Sequence, residues 1–168
     1  MSTLKVDTIQ GKTTATDVDL SNVTNLKMPA GHVVQFVNGR VSDDRDATTS
    51  TSFVQLGDTL SITPKFSTSK IFLIAVVSTE ITGTNTAYLD FGRTTGGTTT
   101  KPLSGFSGGI STVYQESWNT KTYTFLDSPS TTSAVAYFCA FKVSAGTVYI
   151  NDNSANNMTN FTLMEIKQ

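Results

Sequence analysis

One segment of the sequence carries side chains suited to recognising a sugar. Residues 104–120 contain Phe106, Tyr114 and Trp118, the single tryptophan, among Gly, Ser, Thr, Gln and Asn. Aromatic rings stack on the apolar face of a sugar, while neighbouring hydroxyl and amide groups hydrogen-bond to its hydroxyl groups. Such rings are also common in β-sandwich cores and subunit interfaces. Packing is therefore the first interpretation of these three rings, and they are also the candidate residues for binding a sugar.

The remaining reactive side chains match no catalytic or metal-binding pattern. His32 is the only histidine and Cys139 the only cysteine, so one chain lacks the ligands of a structural zinc site. The acidic run at residues 43–46 lacks the glycine and glutamate of an EF-hand. No spacing marks two of the three glutamates as a glycosidase pair. We expect no catalytic residue, no metal and no cofactor.

The composition predicts the fold class. The chain has 168 residues, with 30 threonines, 18 serines and 12 glycines but only three glutamates and three arginines. Threonine is β-branched and favours strands, whereas serine and glycine favour turns. These proportions predict an all-β protein with many loops.

Charge and hydropathy restrict the partners. The formal net charge is -1, with no cluster of Lys and Arg, so the electrostatic pattern of a nucleic-acid-binding protein is missing. The longest apolar run, residues 71–77, is far shorter than the roughly 20 residues that span a bilayer. The opening residues also lack the apolar stretch of a secretory signal. We expect a protein made in a cytoplasm, with no nucleic-acid partner and no membrane insertion.

The sequence divides near residue 30. Residues 1–28 contain no aromatic residue, and Pro29-Ala30-Gly31 marks a boundary. A segment with so few apolar residues cannot offset the entropy of its own ordering. We therefore expect residues 1–30 to be an extended anchor and oligomerisation segment that orders against another chain. The candidate assembly residues are Leu4, Val6, Ile9, Leu20, Val23 and Leu26.

Residues 31–168 alternate between short apolar runs and turns. About eight or nine strands predict an antiparallel β-sandwich of the jelly-roll type. Residues 70–81 are apolar at odd and even positions, which predicts a central strand buried on both faces.

Three local patterns add detail to this prediction. Residues 42–52 are polar and predict a loop. Gly57-Asp58 predicts the turn of a hairpin between residues 53–56 and 60–62. Residues 147–150 are expected to pair with 134–143 across Ala145-Gly146.

Four stretches of the sequence are typical of one class of proteins. They are MSTLKVDTIQ (1–10), LKMPAGHVVQ (26–35), LSITP (60–64) and the closing LMEIK (163–167). The chain resembles the small tail-fibre or receptor-binding proteins of tailed phages, especially those infecting marine bacteria and cyanobacteria. The resemblance implies a homotrimer with an N-terminal segment fixed to a phage tail or baseplate protein. It also implies a C-terminal β-sandwich that faces the host.

We therefore expect a non-enzymatic structural protein of the virion, assembled in the host cytoplasm, that contacts host-surface polysaccharide. One alternative is a capsid decoration or cement protein, which hundreds of copies per virion would indicate. Another is a cellular carbohydrate-binding module, which predicts a monomer that folds without residues 1–28.

Overall fold

The described part of the chain is built from β-strands. The computed structural model describes residues 29–40, 45–114, 118–151 and 159–168, and eleven strands and no helix lie in these ranges. In chain order the strands are β1 (Val33–Arg40), β2 (Asp46–Thr48), β3 (Val54–Ile62), β4 (Lys70–Ile81), β5 (Ala87–Thr95), β6 (Thr98–Thr100), β7 (Ser111–Val113), β8 (Asn119–Asp127), β9 (Val135–Val143), β10 (Val148–Ile150) and β11 (Asn160–Ile166). The predicted all-β class is confirmed.

The strands form two antiparallel sheets that pack face to face. The first sheet has the order β1-β11-β4-β10-β2, with β8 on the opposite edge of β4. The second sheet has the order β3-β9-β5-β6, and β7 also pairs with β5. The predicted antiparallel β-sandwich is therefore confirmed. Residues 1–28 of the predicted segment 1–30 lie outside the described residues, and all six candidate assembly residues are among them.

The core lies between the two sheets. Alternate residues of β4, among them Ile71 and Leu73, are fully buried and face the second sheet. The Phe91 ring of β5 stacks on Phe161 of β11 at 5.5 Å between centroids and contacts Tyr123 of β8 at 4.6 Å. Burying one such side chain contributes about 1.5–3 kcal/mol. The interlocking rings therefore hold the two sheets together.

The prediction that residues 70–81 are buried on both faces is wrong. The inner residues of β4 are buried, but the outward-facing Phe72, Ile74 and Val76 are only half-buried. Among the described residues, no second layer covers this side of the first sheet. β9, by contrast, is buried on both faces, since its outward-facing Phe138 and Ala140 are inaccessible to solvent.

The predicted hairpin at Gly57-Asp58 is also wrong. Residues 54–62 form one strand, β3, and both of its halves pair with β9. Leu56 lies opposite Cys139 and Leu60 opposite Tyr137, so three residues of β3 bulge out against one of β9. Gly57 has φ +73°, which glycine adopts without steric cost. The glycine therefore makes a bulge and not a chain reversal.

The pairing predicted for residues 147–150 is wrong as well. After β9 the chain crosses to the first sheet, where β10 lies between β4 and β2. Both edges of β9 are already occupied, by β3 and β5, so β9 has no edge left for β10. The predicted loop 42–52 contains a strand, β2, because these residues pair with β10. Three-residue strands of this kind bring the number in the described ranges to eleven rather than eight or nine.

Candidate binding site

A loop replaces a strand along one edge of the second sheet. Residues 101–110 connect β6 to β7, which pair with opposite ends of β5. Between them, the Leu103 N–H donates to the Phe91 carbonyl and the Ile110 N–H to the Leu89 carbonyl, each at 2.9 Å. The loop thus satisfies the backbone of β5 where no strand is paired.

A buried carboxylate fixes the start of this loop. Asp90 is fully buried on the outward side of β5. Its Oδ1 accepts from the backbone N–H groups of Leu103 at 3.1 Å and Ser104 at 3.3 Å, and its Oδ2 accepts from the Ser104 hydroxyl. Hydrogen bonds to a charged acceptor contribute about 1.5–3 kcal/mol each. The loop is therefore held in place before any ligand arrives.

A glycine allows the end of the loop to lie against the sheet. Gly109 has φ +64°, and a Cβ atom there would lie 2.4 Å from the Leu89 carbonyl oxygen and 3.1 Å from the Phe53 ring. Only glycine fits this approach. The loop consequently rests on a small apolar cluster of Phe53, Phe138 and Ala140, with Tyr88 beside it.

A cavity of about 400 Å³ opens next to the loop. The loop contributes Lys101, Pro102, Gly105 and Ser107, while the opposite side is made by residues 51–53 and Lys142. Pockets that hold small ligands usually have volumes of about 300–1,000 Å³. We call this cavity the lysine pocket.

The two ammonium groups of the lysine pocket have no acidic partner among the described residues. The Lys142 Nζ lies 5.0 Å from the ring centroid of Phe53 and 4.9 Å from that of Tyr88, so cation–π attraction positions it. Among the described residues, no carboxylate forms a salt bridge with Lys101 or Lys142. The positive charge of the pocket is therefore not neutralised within the described part of the chain.

Phe106 lies next to the lysine pocket. It follows Gly105 and precedes Ser107, two residues of the pocket wall, and 67% of its surface is exposed. Its backbone N–H donates to the Ser104 hydroxyl at 3.1 Å, so Asp90 positions Phe106 through Ser104. Of the three predicted receptor-binding rings, Phe106 is the one next to this cavity.

Tyr114 lies elsewhere. It follows β7, 65% of its surface is exposed, and it borders a cavity of about 260 Å³. Thr112, Asn119 and Lys121 line the same cavity. This second cavity lies where an edge strand of one sheet approaches an edge strand of the other.

Trp118 occupies a third position, at the end of the first sheet. The Arg45 guanidinium lies 5.5 Å from the Trp118 ring centroid and 3.9 Å from that of Tyr149, and it forms a salt bridge with Glu80 at 3.0 Å. One face of the Trp118 ring is thus covered by Arg45. No contact within the described ranges joins the rings of Phe106, Tyr114 and Trp118.

Sequence reasoning named Phe106, which lies next to the lysine pocket, but neither of the pocket's lysines. Phe53 and Lys142 are distant in the sequence and meet because β3 and β9 are paired, with Val54 opposite Phe141. Lys101 reaches the same cavity from the loop. No spacing in the sequence marks these residues as neighbours. They can be recognised as neighbours only when the strand pairing is known.

Burial governs the protonation of three side chains between the sheets. Burial raises the pKa of Cys139 from 9.0 to about 12, against a smaller lowering by the neighbouring Tyr123 hydroxyl. Burial also raises the pKa of Tyr123 and that of Tyr137 well above the ordinary tyrosine value. The Cys139 thiol therefore keeps its proton at neutral pH, which makes it a poor nucleophile.

The described residues contain no group of three or more His, Cys, Asp or Glu side chains placed to hold a metal ion. None of the described segments is a helix of the length and apolarity needed to cross a membrane. No protein-family model and no curated protein matches the chain.

Proposed function

We propose that this chain is a non-enzymatic structural protein of a phage virion, a tail fibre or receptor-binding protein. Its β-sandwich domain binds host-surface polysaccharide, and its N-terminal segment attaches to a tail or baseplate protein. The observation that carries the proposal is the exposed Phe106 ring, held by a fixed loop beside a cavity of about 400 Å³. A ring next to hydroxyl groups is suited to stacking on one sugar while hydrogen-bonding to it.

The proposal assigns binding and no reaction to the lysine pocket. Its described lining offers the hydroxyl groups of Thr51, Ser52 and Ser107 and the ammonium groups of two lysines. It includes no carboxylate or imidazole that would serve as a general base near neutral pH. Tyr114 and Trp118, the other two predicted receptor contacts, remain part of the proposal as separate contact points.

The proposal also includes a homotrimer, and the outer face of the first sheet supports association between copies of the chain. Phe36 and Leu126 are 59% and 45% exposed on this face. Residues directly opposite one another form a continuous apolar row across four strands: Phe36, Met164, Phe72 and Leu126. Exposed apolar rows of this kind mark contact surfaces.

The neighbouring row of the same face favours a second copy of the chain as its partner. This row consists of uncharged residues: Asn38, Thr162, Ile74 and Thr124. Two such faces can pack without burying an unpaired charge, which would be costly. Association also presents several weak sugar sites at once, and their combined avidity exceeds the affinity of each.

Antibody labelling of the particles that carry the chain tests its location. Label at the tail tip or baseplate agrees with the proposal, whereas label over the whole capsid indicates a decoration protein. Particles without label contradict a virion role.

Competition for adsorption tests the sugar contact. We expect the purified full chain to inhibit adsorption of the phage to its host, because it occupies the same polysaccharide. Phe106→Ser should reduce the inhibition, and the matched control Phe66→Ser, at a ring 40% exposed outside the pocket, should not. Equal inhibition by both variants would remove Phe106 from the site.

A further inference from the structure

We infer that the lysine pocket binds an anionic group, so that the ligand is an acidic polysaccharide carrying carboxylate or sulfate groups. The inference rests on the proposed sugar-binding function and specifies the chemical class of its ligand. Neither the composition nor the net charge of -1 indicates this preference, because the positive charge is local.

The charge distribution around the pocket carries the inference. Lys101 and Lys142 lie in the lining of one cavity, and neither forms a salt bridge with a carboxylate of the described residues. The acidic side chain that holds the loop is Asp90, which is fully buried and already accepts from three donors of the loop. An incoming anion would therefore meet two ammonium groups and no exposed carboxylate of the lining.

The position of Lys142 strengthens the attraction. Its Nζ lies over the rings of Phe53 and Tyr88, and its side chain is half-buried. A charge beside apolar rings is less screened by water than one in open solvent. The rings also hold the ammonium group in place, so less side-chain entropy is lost when an anion binds.

The other groups of the pocket complete the recognition of an acidic sugar. The hydroxyl groups of Thr51, Ser52 and Ser107 lie in the same lining and can donate to carboxylate or sulfate oxygens. The exposed Phe106 ring lies next to Ser107 and is placed to stack on the sugar that carries the charge. A sugar acid therefore fits the charge, the hydroxyl groups and the ring together.

The charge pattern disfavours nucleic acid as the ligand. Affinity for nucleic acid grows with the number of phosphates neutralised. The lysine pocket supplies two cations, and the chain as a whole is slightly acidic. Two cations in a cavity match the widely spaced charges of an acidic polysaccharide better than a continuous row of phosphates.

Calorimetric titration of the full chain tests the inference. The probes are an oligogalacturonate, a sulfated dextran oligosaccharide, a neutral maltooligosaccharide of matched length and a single-stranded oligothymidylate. We expect at least one of the two acidic sugars to bind more tightly than the neutral one, and added salt to weaken that binding. Preference between the acidic probes identifies carboxylate or sulfate as the group bound.

Charge-removing variants tie the binding to the pocket. Lys142→Gln and Lys101→Gln should each weaken binding of the acidic sugar about tenfold, the effect of losing a charged hydrogen bond. Lys65→Gln, the same change at an exposed position outside the lining, should leave it unchanged. Lys101 is exposed and makes no core contact, so Lys101→Gln keeps the test valid if Lys142→Gln impairs folding.

Each contrary result has a distinct meaning. The inference is overturned if the neutral sugar binds as tightly as the acidic sugar and the lysine variants have no effect. The proposed sugar-binding function would then still stand. Oligothymidylate that binds as tightly as the acidic sugar also overturns it, because the pocket is then a general anion site. Binding of no probe overturns the inference, and the labelling of particles then decides the proposed function separately.

Discussion

The Tyr137 hydroxyl donates a hydrogen bond to the Asp127 carboxylate at 2.7 Å. Tyr137 belongs to β9 of the second sheet and Asp127 to the end of β8 of the first, so this bond joins the two sheets. The Arg93 guanidinium binds the same carboxylate. A buried polar network of this kind favours one alignment of the sheets, since each group needs its partners.

Removal of the Tyr137 hydroxyl tests this network. Tyr137→Phe should lower the free energy of unfolding by about 1–2 kcal/mol, because Asp127 keeps Arg93 but loses one buried donor. Urea denaturation measures the change. Tyr149→Phe is the matched control, because its ring is stacked under Arg45 and its hydroxyl has no hydrogen bond in the described residues. Equal effects of the two variants would show that the hydrogen bond between Tyr137 and Asp127 does not stabilise the fold.

Alkaline pH should destabilise the sandwich. The pKa of Cys139 is raised by burial from 9.0 to about 12, and burial also raises the pKa of Tyr123 and Tyr137 above 10.0. Because the folded state holds these protons more tightly, its stability is complete below about pH 9 and falls as the unfolded chain ionises.

The size and order of this loss can be measured. Each group contributes a slope of about 1.4 kcal/mol per pH unit between its unfolded and folded pKa. Urea denaturation from neutral pH upward should show Cys139 acting first and the tyrosines joining above the ordinary tyrosine pKa. Cys139→Ala should abolish the part of the loss in unfolding free energy that begins at the lowest pH. A free energy of unfolding that stays constant to about pH 11 contradicts the prediction.

The Asp90 carboxylate should control the loop more than the sandwich. Asp90→Asn keeps the shape of the side chain but replaces one acceptor oxygen by a donor, next to the Ser104 hydroxyl. We expect a loss of about 1–3 kcal/mol in the free energy of unfolding, faster amide exchange in residues 103–109 and weaker binding in the lysine pocket. Asp58→Asn, at an exposed position, is the control. Unchanged exchange in the loop would show that Asp90 does not hold it.

The apolar row on the first sheet should govern association. Phe36→Ser removes a side chain that is 59% exposed at the edge of the row, so it should shift the full chain toward monomer with little change in folding. Light scattering over a range of concentrations measures the change. Phe66→Ser removes an exposed ring outside the row and should leave association unchanged. A wild-type chain that is monomeric at every concentration contradicts the proposed trimer.

Sequence reasoning was accurate where one strand carries a long pattern. The predicted strand 70–81 has the bounds of β4. Long apolar patterns fix such strands because they need a core whatever their neighbours are. By contrast, β2 and β10 have only three residues each. β10 forms by pairing with β2 and β4, and β2 forms by pairing with β10.

The candidate site was predicted only in part, for a related reason. Phe106 stood out because an aromatic residue in a stretch rich in Gly and Ser is conspicuous. The lysine pocket needs Phe53, Lys101 and Lys142 from three segments that meet through strand pairing, which no local spacing encodes. Receptor binding by Phe106, Tyr114 and Trp118 stays a prediction.

In the loop over the second sheet, the residues proposed to bind a ligand are separate from those that fix the loop to the sandwich. Asp90 and Gly109 hold its two ends, whereas Gly105, Phe106 and Ser107 between them are exposed. Substitutions at exposed loop positions without such contacts usually change stability by less than about 0.5 kcal/mol. Phe106 and Ser107 can therefore be replaced, and with them the ligand of the proposed site, while the sandwich beneath them keeps the same sequence.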